Sequence, residues 1–144
     1  MRPLLFLLVP AALHAQMITA NPCNLLTPAE VLSATQDSVR TTALSQFQNP
    51  VCTIITSDSN ATISVKIETT RDYEDAYWDV VGDSTKAIPS LGERAVVTGK
   101  TQPVTKILRR GRVYSITYIN QTVTPDQIRA REKALAFFAI ARAP

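Results

Sequence analysis

A hairpin signal near the C-terminal end constrains the fold of this chain most strongly. Residues 104–108 and 113–120 are apolar, β-branched runs, and Arg110-Gly111 between them makes a two-residue turn in which glycine supplies positive φ. That turn pairs Ile107 with Tyr114 and Thr105 with Ile116. Ile107, Tyr114, Ile116 and Tyr118 then share one face, while Val104, Leu108, Val113 and Ile119 share the other. Since both faces carry apolar residues, both are expected to be covered.

The rest of the chain extends this sheet. Residues 61–69 alternate, with Ile63, Val65 and Ile67 on one side and Thr62, Ser64, Lys66 and Glu68 on the other. Residues 51–57 form a β-branched run, and Asp58-Ser59-Asn60 is turn chemistry, so the two runs read as an antiparallel hairpin. A short strand is expected over 93–98, after the breaks at Pro89 and Gly92, and a candidate one near Arg40–Leu44 in the polar connection 36–50. Two helix starts are explicit. Thr27-Pro28-Ala29-Glu30 and Thr124-Pro125-Asp126-Gln127 each place Thr at the N-cap, Pro at the first helical position and Glu or Gln at the third. The first helix is expected over 28–35, with Val31 and Leu32 available for burial. The last runs to about Ala141 and buries Ile128, Leu135 and Phe138. A third helical period covers 71–83, where Tyr73, Ala76, Tyr77 and Val80 share a face with Val81 and Trp78 at its edge. The order α-β-β-α-β-β-β-α predicts an α+β fold: one antiparallel sheet of about five strands with helices packed on it, in a single domain over 22–142.

The first twenty residues read as an export leader rather than as part of that domain. Arg2 precedes the apolar run 4–13, and small residues follow at Ala15 and Ala20, so residues 1–15 are expected to be cleaved, with an alternative end at Ala20. No later run is long and apolar enough to span a bilayer. Ala20-Asn21-Pro22 before Cys23 is not a lipobox, so neither a lipid anchor nor a transmembrane span is expected. Cleavage removes His14, the chain's one histidine, and Arg2, which lowers the formal charge from +3 to +2. A mature chain without imidazole cannot build a Ser–His–Asp triad or a Cys–His pair, and it lacks the commonest transition-metal ligand. In an oxidising compartment Cys23 and Cys52, an even pair, are expected to form one disulfide.

Pro22-Cys23-Asn24-Leu25-Leu26-Thr27-Pro28-Ala29-Glu30-Val31 directly follows the leader. A second cysteine opens the first β-run, Ser90-Leu91-Gly92-Glu93-Arg94-Ala95 precedes another strand, and a helix ends the chain. This pattern resembles a group of small exported bacterial proteins of unknown function, many of them lipoproteins, with a PsbP-like α/β/α sandwich. The resemblance spans most of 22–142 and implies a sandwich fold and an envelope or secreted location. The chain departs from it in lacking the lipoprotein cysteine and in having Ile54 two residues after Cys52, where an aromatic is expected. The group has no defined catalytic residues, so no reaction is implied.

Charge is unevenly spread. Residues 68–93 hold seven acids and two bases, whereas residues 94–112 hold six bases and no acid. Arg109, Arg110 and Arg112 at the hairpin tip, with Lys106, are the expected contacts for an anionic partner. Tyr77, Trp78 and Tyr118 are the candidate lining of a ligand groove. Asp72, Asp75, Asp79 and Asp83 fall on one helical arc, which reads as a solvated face because a convex row of carboxylates cannot enclose a cation. No metal or cofactor is expected, and the export leader with a charge of only +2 disfavours nucleic acid. The expected function is a non-enzymatic, secreted or periplasmic binding or accessory module of the cell envelope, facing a protein partner or an anionic surface. A small-ligand carrier with a pocket between sheet and helices is the alternative. A hydrolase built on a carboxylate pair ranks third, because no nucleophile motif is present.

Overall fold

The computed structural model describes residues 21–46, 49–57, 61–71, 86–88, 90–99 and 101–144. The expected leader, the acidic arc, and Tyr77 and Trp78 lie outside the described residues. So does nearly all of the expected helix over 71–83.

Two helices and one antiparallel sheet make up the described fold. After a single 3-10 turn, Pro22–Asn24, come α1 (Pro28–Thr35), β1 (Val39–Ser45), β2 (Val51–Thr56), β3 (Ala61–Glu68), β4 (Lys86–Ala87), β5 (Arg94–Thr98), β6 (Val104–Arg109), β7 (Arg112–Asn120) and α2 (Pro125–Arg142). The spatial order is β1-β2-β3-β7-β6-β5-β4. Six full strands are thus present, extended by the two-residue β4, where about five were expected. The addition is β1. The sequence Val-Arg-Thr-Thr-Ala-Leu-Ser has no alternating pattern because its side chains are half-buried at Val39 and exposed beyond it. Backbone pairing to β2 alone makes it a strand, with a register irregularity between Val39 and Thr41.

Both capping boxes form as their sequences require. Thr27 accepts from the Glu30 backbone N–H while the Glu30 carboxylate accepts from that of Thr27, and Thr124 and Gln127 repeat the exchange. The hairpin register also follows the turn: Ile107 faces Tyr114 and Thr105 faces Ile116. Arg110 (φ 48°) and Gly111 (φ 71°) are both left-handed, the geometry whose twist suits a two-residue hairpin.

One face of the sheet carries the main core. Leu44, Cys52, Val65, Ile116, Thr105 and Val97 form a single cross-strand row through six strands. Against this face pack Leu135, Ala136, Ala139 and Ile140 of α2 and Val31 of α1. Leu32, expected to be available for burial, is 50% exposed, since Val31 takes the inward position. On the opposite face Val96 and Val113 form a smaller buried cluster with Leu108 against it. Cys23 and Cys52 are bonded and tie the 3-10 turn to β2. Among the described residues no helix is long and apolar enough to cross a membrane.

Two stability predictions follow. The disulfide closes a separation of 29 residues, so reduction should cost about 3–4 kcal/mol by restoring freedom to the unfolded chain. Denaturant unfolding with and without reductant measures this, and identical midpoints would show that the bridge contributes nothing. The Tyr114 hydroxyl is buried without a hydrogen-bond partner. Tyr114→Phe should therefore raise stability by about 1 kcal/mol, whereas a destabilised variant would reveal a partner for that hydroxyl.

Candidate functional site

The β6–β7 turn is anchored by its neighbours before it offers anything to a partner. Gly92 approaches β6 so closely that a Cβ there would lie 2.7 Å from Ile107 Cγ2 and 2.8 Å from the Leu108 carbonyl oxygen. Glycine is thus required, and beside it Leu91 is buried while the Glu93 N–H donates to the Leu108 carbonyl at 2.9 Å. The Glu93 carboxylate in turn accepts from the Arg110 backbone N–H at 2.6 Å. The segment Ser90-Leu91-Gly92-Glu93-Arg94 therefore braces the hairpin tip.

The four expected basic contacts divide into two pairs. Arg109 Nη1 donates to the Ile140 carbonyl in the last turn of α2, which also accepts from the Ala143 N–H, and so places a cation at the helix C-terminus. Lys106 Nζ lies 3.0 Å from Glu68 Oε2. Both of these cations are engaged within the fold. Arg110 is exposed and Arg112 half-buried, and neither forms an ion pair with any described residue. Exposed Arg94, at the start of β5, is likewise unpaired and joins them at this end of the sheet. The described carboxylates are all engaged: Glu30 with Arg142 and Thr27, Glu68 with Lys66 and Lys106, Asp126 with Arg129, Glu93 with the Arg110 N–H, Glu132 with Thr105 and Tyr118, and Asp37 with contacts of its own. The arginine end thus holds three guanidinium groups with no described ion pair, beside a single described carboxylate, Glu93, so it carries a local excess of positive charge.

Two buried acids went unread in the sequence. On the second sheet face Ser115 stands between Lys66 and Lys106 in the strand register. Glu68 receives hydrogen bonds from Lys66 Nζ at 2.7 Å, Lys106 Nζ at 3.0 Å and the Ser115 hydroxyl. Burial alone would raise the Glu68 carboxyl, but these donors outweigh it and hold the group below the usual carboxylate range. On the main core face Glu132 of α2 is 1% exposed. It accepts from the Thr105 hydroxyl at 2.7 Å and from the Tyr118 N–H at 3.0 Å. Continuing the register opposite Tyr118 leads to Pro103, beyond β6, so Glu132 satisfies a backbone donor where the ladder ends. Burial pushes its carboxyl up to about 7, against the opposing pull of Thr105 and Tyr118. The helical wheel carries the signal for it: Glu132 lies four residues after Ile128, three before Leu135 and seven before Ala139, on the buried stripe.

Tyr118, the described member of the expected ligand groove, is fully buried, so its ring is core. Its hydroxyl accepts from Asn120 Nδ2 at 2.9 Å and from Arg131 Nη1 at 3.0 Å. Asn120 and Arg131 line an open groove of about 560 Å³ with Thr35, Gln36, Ser57 and Thr122, at the sheet end opposite the arginine turn. Models of known protein families, curated proteins and solved structures give no match to this chain.

The high Glu132 value makes a signed prediction. The unfolded chain releases this proton near the ordinary 4.5, whereas the folded protein keeps it to about 7. Folding therefore takes up a proton between those values, and the contribution, complete below 4.5, is lost as pH rises through 7. Glu132→Gln keeps an acceptor for the Tyr118 N–H and cannot ionise. Relative to the unsubstituted protein it should gain roughly 3 kcal/mol between pH 4.5 and 8. Parallel pH–stability curves for the two proteins would refute the buried, late-ionising carboxyl.

Proposed function

We propose that this chain is an exported, non-enzymatic binding module of the cell envelope, docking through its arginine end onto an acidic protein patch or an anionic surface. The observation that carries this reading is the asymmetry of pairing. Every described carboxylate is engaged, while Arg94, Arg110 and Arg112 cluster unpaired around one braced turn. A turn pinned by Glu93 and Gly92 loses little conformational freedom on docking, so its guanidinium groups meet an anionic partner at low entropic cost. Arginine favours such contacts because its fork binds carboxylate or phosphate at two points.

Two features support the exported setting: the Cys23–Cys52 bridge and the leader-like pattern of residues 1–15. The resemblance to small exported bacterial proteins with a PsbP-like sandwich agrees with both. Arg109 and Lys106 leave the proposed contact set because their charges already serve the fold. Their replacement is expected to lower stability rather than binding alone.

Arg110→Glu/Arg112→Glu tests the proposal, since neither side chain bonds to any described residue. In co-sedimentation with isolated envelope material at low salt, the unsubstituted protein should be retained and the double variant lost from the pellet. Retention should also fall between about 20 and 300 mM salt, where the screening length shrinks below ~10 Å. Equal retention of both proteins at low salt would defeat the proposal.

A further inference from the structure

The groove at the opposite end of the sheet makes no contribution to arginine-end docking, and its chemistry is distinct. The C-terminus of α1, the end of β2 and the end of β7 meet the first turns of α2 there, around a volume of about 560 Å³. Most of the polar capacity of its walls is consumed internally. Thr35 Oγ1 donates to the Val31 carbonyl at 2.7 Å and accepts from the Asp37 N–H at 3.2 Å. Thr122 Oγ1 donates to Asn120 Oδ1 at 2.7 Å, Asn120 Nδ2 donates to the Tyr118 hydroxyl, and Ser57 is bonded to Ser38.

Arg131 is different. Its Nη1 donates to the Tyr118 hydroxyl, and its guanidinium carbon lies 6.0 Å from the centre of the same ring. No described carboxylate forms an ion pair with it. Its bonded acceptor is a phenol hydroxyl that already receives a second donor from Asn120, and Asp37, the carboxylate on the same wall, has contacts of its own and forms no ion pair with it. The guanidinium is half-buried and held in orientation by Tyr118, with further N–H donors left over at the groove. Gln36, the left-handed C-cap of α1 (φ 62°), adds a side-chain amide to the same wall with no described partner. With Asp37 engaged by contacts of its own, the spare groups are a fixed cation and a neutral amide, which is the complement of a ligand rich in acceptors and carrying no more than one negative charge.

We propose that this groove binds a small hydrophilic organic anion with a single carboxylate, forked onto the Arg131 guanidinium and steadied by the Gln36 amide. A carboxylate matches the planar guanidinium at two points. A phosphate or sulfate dianion meets only one cation here and shares the wall with Asp37, which disfavours added negative charge. The site is independent of the arginine end, so either proposal can fail without the other.

Amide NMR of the disulfide-bonded protein, titrated with sodium lactate, sodium phosphate and sodium chloride, tests the inference. Lactate should saturably shift the signals of Gln36, Thr122 and Arg131, at concentrations below about 50 mM, and leave Arg110–Arg112 unmoved. Arg131→Gln should weaken lactate binding about tenfold. Gln36→Gly, whose left-handed φ glycine adopts freely, preserves the fold and should weaken it about threefold. No saturable shift with lactate, equal affinity in Arg131→Gln, tighter binding of phosphate than of lactate, or a response confined to the β6–β7 turn would each overturn the site.

Discussion

The pairing of β3 with β7 is the constraint on which the rest of the structure depends. It joins two meanders, β1-β2-β3 and β4-β5-β6-β7, through eight consecutive residue pairs from Ala61–Asn120 to Glu68–Val113. No turn assists it, since the partners are 45 to 59 residues apart in sequence. Its register must therefore come from side-chain pattern, and a slip of one residue would move Ile63, Val65 and Ile67 to the wrong face. The same register sets Ser115 beside Lys66 and Lys106, and Tyr114, Ile116 and Tyr118 beneath α2. Contacts this remote carry a larger loop-closure cost than a hairpin does, so the seam depends on side-chain burial for its stability.

The two buried acids show how the faces of one sheet give the same chemical group opposite properties. Glu68 meets two ammonium groups and a hydroxyl, so its charge is stabilised more than burial opposes it. Glu132 meets only neutral donors, Thr105 and the Tyr118 N–H, and burial prevails. Glu132 is enclosed by core, and the Glu68 oxygens are occupied by its three described partners. Both are read most simply as fasteners, Glu68 across three strands and Glu132 between helix and sheet.

Much of this fold was legible because the signals were local. Thr-Pro-x-Glu and Thr-Pro-x-Gln set helix starts through caps complete within four residues, and Arg110-Gly111 set a register because a two-residue turn allows few geometries. The disulfide followed from the number of cysteines and the expected compartment. What stayed hidden was non-local. β1 was legible only as a candidate strand near Arg40–Leu44, because an exposed edge carries no period, and the β3–β7 seam has no sequence marker. The basic quartet looked uniform in sequence, yet Arg109 and Lys106 are spent on Ile140 and Glu68, partners 31 and 38 residues away. Arg131 had no signal of its own, since only the fold shows that no described carboxylate forms an ion pair with it.

A single strand and a single helix span both proposed recognition ends. β7 runs from Arg112 to Asn120, about 27 Å at the usual rise per strand residue. Antiparallel in its course, α2 starts near the groove with Arg131 in its second turn and ends where Ile140 receives Arg109. At that separation, well beyond a ~8–10 Å screening length, the two ends do not sense one another's charge through solvent. Any coupling has to be mechanical, through a helix bonded to the sheet by Arg131 and Glu132 in its first half and by the Ile140 carbonyl at its end. The architecture therefore favours two independent recognition ends on a rigid connector over a switch between them.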